Sequence, residues 1–321
     1  MAKVKGFKGF NKDLKCRGFQ YKVGQEYIKE GLISMCQNGF HLCENPFDVF
    51  EYYGPRNSRY CRVEGRGGIK RGRDKLVVSD ICIKEEISLS EMVEEGILYM
   101  LDANHSSVLN ESDPRSNITS EQDHSTAINY GYRSVSANTG YYSITYNHGF
   151  HSIAATTTER SVAVNDGYFS TAISTGPRSV ARNSEEYSLA VSSGAYSVAI
   201  NSGKHSTVMC TGPCSMVSNS GEQSVTVSRG SNSVAENSGE HSIAASFDEH
   251  STVRVSNGIA IATGKDSVAA GDIGSWLVLT ERDDNGNVLD MKCVKVDGEF
   301  VEPNTYYRLL NGRIFKSKPR P

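Results

Sequence analysis

The chain has 321 residues, with 34 Lys and Arg against 37 Asp and Glu and a net charge of -3. That balance excludes a general polycation for nucleic acid and an acidic mimic of it, and the length is enough for two or three domains. No apolar run approaches the ~20 residues of a membrane span. The opening MAKVKGFKGFNKDLK has no hydrophobic signal segment, so a cytoplasmic setting is expected, with the eight cysteines as reduced thiols.

Residues 1–103 read as a small α+β domain. Strand-like pieces occur at Val4–Phe7, Gln20–Tyr21, Tyr60–Val63 and Lys75–Ile83. Asn45-Pro46 before FDVFEYY marks a helix start, and SEMVEEGILYML from Ser90 predicts a second helix with Ser90 as its cap. The stretches KGFKGFNKDLKCRGFQYKVGQEY and CQNGFHLCENPFDVFEYY resemble an uncharacterised domain at the start of many phage and prophage proteins, across most of residues 1–85. That resemblance implies a phage or prophage setting and brings no activity.

From Ser107 to Ser251 a serine recurs every nine residues, seventeen times without a miss. The consensus is Ser, Val/Ile/Thr, Ala, a variable residue, then Asn-Ser-Gly and two more variable residues, as in SVAINSGKH from Ser197. A fixed period over this many copies predicts a solenoid. A β-branched residue between small ones, closed by Asn-Ser-Gly, predicts a short strand and a tight turn in which glycine takes the positive φ. Alternation puts Ser and Ala inside a thin roll, where the hydroxyls bond backbone or the next coil.

If two repeats make an 18-residue coil, the fourth positions form two columns. Thr119, Ala137, Ala155, Ile173, Val191, Met209, Val227, Ala245 and Thr263 carry no charge, whereas the column from Asn110 to Arg254 carries Arg182, Glu236 and Arg254. The expected fold is therefore mainly β: a parallel, left-handed β-roll over 104–273, with two strands per coil and its uncharged face covered. Nine coils span roughly 43 Å.

Near the end the spacing tightens to seven, with AIATGKD from Ala260 and SVAAGD from Ser267. Residues 107–273, and 260–271 most closely, resemble the β-roll head repeats of trimeric autotransporter adhesins. The resemblance implies three rolls packed through their Val/Ile faces. Residues 274–321, with turn signals Asp284-Asn285-Gly286 and Asn311-Gly312, predict a β-meander cap in which Trp276 packs on the last coil.

Five His-Ser pairs in the repeat invite a nucleophile reading, but strand neighbours face opposite ways, so these serines are structural. The basic run 56–75 offers Arg56, Arg59, Arg62, Arg66, Lys70, Arg71 and Arg73 as a candidate phosphate or nucleic-acid contact. On the rod, Arg115 under Arg133 and Arg160 under Arg178 stack like charges at one edge. Tyr142, Tyr168, Tyr187 and Tyr196 lie along the same turns as candidate stacking platforms. Cys16, Cys36, His41 and Cys43 are spaced poorly for zinc, and the Asn-Ser-Gly turns lack calcium ligands, so no metal and no cofactor is expected. Cys210 and Cys214 flank a turn without a redox signature.

The function expected from these residues is non-enzymatic. It is a homotrimeric phage- or prophage-associated protein that binds or scaffolds a host or viral macromolecule, off the membrane, in the bacterial cytoplasm or on the virion. One alternative sequesters an anionic small ligand or nucleotide in grooves between subunits. Another is an ADP-ribosyltransferase-like effector using Arg17, His41, Tyr52 and Glu85, although no Ser-Thr-Ser or Glu-x-Glu motif is present.

Overall fold

The computed structural model describes residues 3–55, 58–103 and 108–319, and the chain divides into two compact units, Met1–Ala103 and Asn104–Pro321. Half of the protein is strand. Among the described residues no helix is long and apolar enough to cross a membrane. All eight cysteines are unpaired.

The first unit is a curled antiparallel sheet with two helices. Its elements are β1 (Lys3–Asn11), β2 (Lys15–Cys16), β3 (Phe19–Gln20), β4 (Glu26–Ile28), β5 (Phe40–Leu42), α1 (Pro46–Val49), β6 (Ser58–Arg71), β7 (Leu76–Ile87) and α2 (Leu89–Ala103). The long hairpin of β6 and β7 is the spine: β1 pairs with β6, while β4 and β5 pair with different stretches of β7. Reciprocal bonds between Phe7 and Cys43, at 2.8 and 2.9 Å, then join β1 to the residue after β5 and bring the sheet's edges together. The core is Phe10, Leu42, Val63, Val78, Ile81 and Ile83.

Helix α1 starts where expected, with the Asn45 side chain accepting from Phe47 N–H. The cap of α2 is Ser88, not Ser90. Ser88 Oγ accepts from Glu91 N–H while the Glu91 carboxylate accepts from Ser88 N–H at 2.7 Å, a reciprocal pair that needs an acid three residues on. Ser90 has Val93 at that spacing.

The second unit is the parallel β-solenoid, about ten turns over 108–279. From Val108 to Val255 the strands pair with those 18 residues away, as Val162–Asn165 does with Ile144–Asn147 and Val180–Asn183, so each coil has two walls. Ser107 lies outside the described residues. The first-position serines are interior, and their hydroxyls tie each coil to the coil before it. Ser152 Oγ accepts from Ser134 N–H and donates to Gly131 O, each at 3.2 Å, and Ser161, Ser170, Ser188 and Ser197 repeat the pattern. Such a buried bond is worth about 1 kcal/mol, and leaving one partner unmet costs more. Asn at the fifth position is also interior. Asn147 Oδ1 accepts from Gly149 N–H and its amide reaches back to Ser134 O.

The turn differs from the expectation. Positive φ belongs to the ninth position, from Arg115 (60°) and His124 (54°) to His250 (57°), and not to the glycine of Asn-Ser-Gly. Glycine is required for a different reason: a Cβ on Gly149 would lie 1.8 Å from Gly131 O of the coil before, and one on Gly203 would lie 1.9 Å from Glu185 O. Coils approach so closely at this corner that no side chain fits. Asn and His tolerate the left-handed conformation better than most residues, which accounts for their presence at position nine.

Both fourth-position columns form as expected up to Ala245, which then pairs with Ile261 rather than Thr263. The cause is a two-residue contraction in 251–257. It places Ala260 beside Ala244 at the third position, so Ala260 does not open a repeat. Within the single chain, outer side chains of the uncharged wall are half-exposed, including Leu189, Val191, Thr207, Met209, Val225 and Val227.

The strand Trp276–Arg282 joins this wall in parallel. A hairpin partner, Val288–Lys295, and a second hairpin, Tyr307–Leu310 with Arg313–Lys316, complete the C-terminal part. Leu277, Leu279, Val296, Tyr307 and Leu309 seal the last coils. Trp276 does not pack inward: in register with Ile259 it stands on the outer face, 44% exposed.

Candidate functional site

The most distinctive recess is a cleft of about 270 Å³ in the first unit. Its walls come from β1 (Phe7, Lys8, Gly9), the end of β2 and the turn after it (Cys16, Arg17), β5 and its flanks (Cys36, His41, Cys43), α1 and the residues after it (Val49, Tyr52, Tyr53) and Lys75. Gly9 is needed here, because a Cβ would meet the Tyr53 side chain at 2.5 Å.

Lys8 sits at a core-facing register. On β1, Val4, Gly6, Lys8 and Phe10 share one side, and all are buried, Lys8 to 5% exposure. Its Nζ donates to His41 O at 2.9 Å and lies 3.6 Å from Cys16 Sγ, over the Phe10 and Tyr21 rings. Among the described residues no carboxylate lies within 4.0 Å of Lys8, Arg17 or Lys75. Burial holds the Lys8 amine below the ordinary lysine range, because a desolvated ammonium without a counter-charge is costly.

Arg17 and Cys36 both adopt positive φ, at 49° and 62°, and Arg17 Nη1 donates to Cys36 O at 2.9 Å. Cys36 N–H donates to His41 Nε2 at 2.9 Å, which places the imidazole proton on Nδ1. Burial, helped by the Lys8, Lys75 and Arg17 charges, lowers His41 to about 4. Lys75 lies 4.2 Å above the Tyr52 ring, and the Tyr52 hydroxyl bonds the Asp74 carboxylate. Burial pushes the Cys43 thiol up to about 12. The four residues considered for zinc thus line one cleft, but the His41 Nε2 lone pair already accepts a backbone N–H. Among the described residues no three potential ligands approach metal-binding distances.

Residues 4–95 match a domain of unknown function, DUF7666. No curated protein and no solved structure matches the chain. The DUF7666 match contains every residue of the cleft and identifies no enzymatic family.

The basic run does not form a cationic patch. Arg56 lies outside the described residues. Residues 58–71 are strand β6, whose arginines meet acids of other segments and, at Glu64, of the strand itself: Arg59 pairs with Glu86, Arg62 with Glu85 and Glu95, Arg66 with Glu64 and Glu26, and Arg71 with Glu44. Lys70 donates to Ile33 O at 2.7 Å. Arg73 lines a small recess together with Glu44, Asp48 and Asp74. The charges that made this run stand out in sequence are largely offset by carboxylates remote in sequence.

On the solenoid, the expected stacking platforms Tyr142, Tyr168, Tyr187 and Tyr196 stack with rings or guanidinium groups of adjacent rungs. Tyr187 lies between Phe169 and His205, both at 4.9 Å and within 11° of parallel. Tyr168 stacks on Phe150 at 5.3 Å, and Tyr142 on His124 at 5.4 Å. Arg160 lies over Tyr142, and Arg178 over Tyr196. Glu159 pairs with Arg178 at 2.9 Å and lies 3.8 Å from Arg160, which relieves the expected like-charge stack. Arg133 lies over Tyr132, one rung from Arg115. Cys210 is buried in the lumen, whereas Cys214 lies in the turn at position nine.

Of the ADP-ribosyltransferase-like set, Arg17, His41 and Tyr52 come together. Glu85 lines a separate recess with Lys84, Glu95 and Tyr99 and is paired with Arg62. Sequence reading missed Lys8 and Lys75. Lys8 had a legible signal, a lysine at the inward register of the strand from Val4 to Phe10. Lys75 had none beyond its place in a charged run.

Proposed function

We propose that the protein is a non-enzymatic binding and scaffolding protein, phage- or prophage-associated, that assembles as a homotrimer through the uncharged wall of its solenoid. The assembly presents several first units to a host or viral macromolecule. One observation carries this reading. From Val135 to Val278 the outer positions of that wall hold only apolar, Thr or Ala side chains, and the members between Leu189 and Val227 are half-exposed. An exposed apolar strip of this length, flat and free of charge, favours association. Copies of the same parallel sheet offer it a matching flat surface. The number three rests on the resemblance to adhesin head repeats, and the phage setting on the resemblance of residues 1–85 to phage-protein domains.

Light scattering on the purified full chain tests this. The expected mass is three times the 35.1 kDa of one chain, falling to a single chain for Val191→Glu, which places a carboxylate in the middle of the strip. A wild-type protein running as a single chain overturns the proposal.

A further inference from the structure

Three cations in the first unit share one cleft, and no acid lines it. In a chain of net charge -3, and in a unit where Arg59, Arg62, Arg66 and Arg71 each pair with a carboxylate, this local surplus is not a by-product of a basic protein. The three positions are also built in rather than incidental. Lys8 occupies a core register of β1, and Arg17, at positive φ in the turn after β2, is fixed by its bond to the O of Cys36, a residue of a separate turn that also holds positive φ. Lys75 is braced over Tyr52. An ammonium has three donors. Lys8 gives one to His41 O and approaches Cys16 Sγ with a second, which leaves a third uncommitted at the cleft wall.

We propose that this cleft binds a small phosphate-bearing molecule, with its phosphate held by Lys8, Arg17 and Lys75 and its remainder against Phe7, Tyr52 and Tyr53.

A buried lysine without a carboxylate can be accommodated in two ways, as a neutral amine or as a cation awaiting an anion. The neutral amine accounts for Lys8 alone, whereas an anion complements Lys8, Arg17 and Lys75 together. A phosphate carries close to two negative charges near neutral pH and several acceptor oxygens, so it matches three donors of positive charge better than a carboxylate does. The cleft's size suits a compact ligand. His41 stands by as a neutral Nδ1–H donor, since its other nitrogen is committed to Cys36 N–H. This reading concerns the first unit alone and stands or falls independently of how the solenoid assembles.

The experiment is calorimetric titration of the full-length protein, in phosphate-free buffer, with inorganic phosphate and separately with acetate. Saturable binding of phosphate at one site per chain is expected, with acetate weaker. Arg17→Gln, Lys75→Gln and Lys8→Met should each weaken phosphate roughly tenfold or more, while Lys12→Gln on the exposed surface leaves it unchanged. Circular dichroism checks the fold of each variant, and if Lys8→Met does not fold, the exposed Arg17 and half-buried Lys75 still decide the matter. No saturable heat with phosphate, acetate bound as tightly, or phosphate binding untouched in both Arg17→Gln and Lys75→Gln would each overturn the proposal.

Discussion

In the solenoid a buried serine such as Ser152 directs its hydroxyl at Gly131 O and receives Ser134 N–H. In the first unit Lys8 is buried comparably, yet it ends against a carbonyl and a sulfur with no counter-charge in reach. The two regions treat polar groups differently because they answer different constraints. In the solenoid the first-position hydroxyls are consumed in tying each coil to the one before it, while the neutral lumen hydroxyls of Ser136, Ser192, Ser228 and Ser246 meet no partner. The cleft keeps polar capacity in reserve at a cost in stability, which is characteristic of a site that receives something.

The largest effect that would sharpen this contrast is expected at Gly203. Its replacement by Ala puts a methyl 1.9 Å from Glu185 O, and because the obstacle is backbone, the coils must separate. A loss of about 3 kcal/mol in the solenoid's thermal transition is expected, seen by calorimetry, with the first unit's ligand response intact. A variant that melts like wild type would show that the coils are not packed as closely as described.

A smaller effect concerns His41. Its folded-state value, about 4, lies below the ordinary 6.5, so the fold favours the neutral ring. The resulting stability is fully present above about pH 6.5 and is lost as pH falls from there towards 4. Wild type should therefore lose melting temperature faster than His41→Gln across that window, monitored through the first unit. Parallel curves for the two proteins would contradict the assigned environment.

How much of this was readable in the sequence follows the same division. The 18-residue coil, the interior serines and the two columns were legible because the period is strict and side chains alternate. The role of the glycine was not, because a close approach between coils leaves the same mark in sequence as a turn that needs positive φ. The contraction at 251–257 was misplaced to Ala260, since alanine replaces serine smoothly at small interior positions. In the first unit, strands and helix starts were largely visible, but the site was not. Arg17, Cys36, His41 and Lys75 meet only because β5 pairs with β7 and then bridges to β1, contacts between segments far apart in the chain. The arginines of β6 were conspicuous, but their partners Glu26, Glu44, Glu85, Glu86 and Glu95 lie on other elements.

The proposed contrast between a binding first unit and a structural solenoid is tested most directly by hydrogen exchange of the full chain with and without saturating inorganic phosphate. Protection should rise in peptides carrying Lys8, Arg17, Cys36–His41 and Lys75, and the solenoid from Val108 to Leu279 should exchange identically in both states. Protection appearing along the solenoid edge, at Arg133, Tyr187 or Arg178, with the cleft unchanged, would contradict the account.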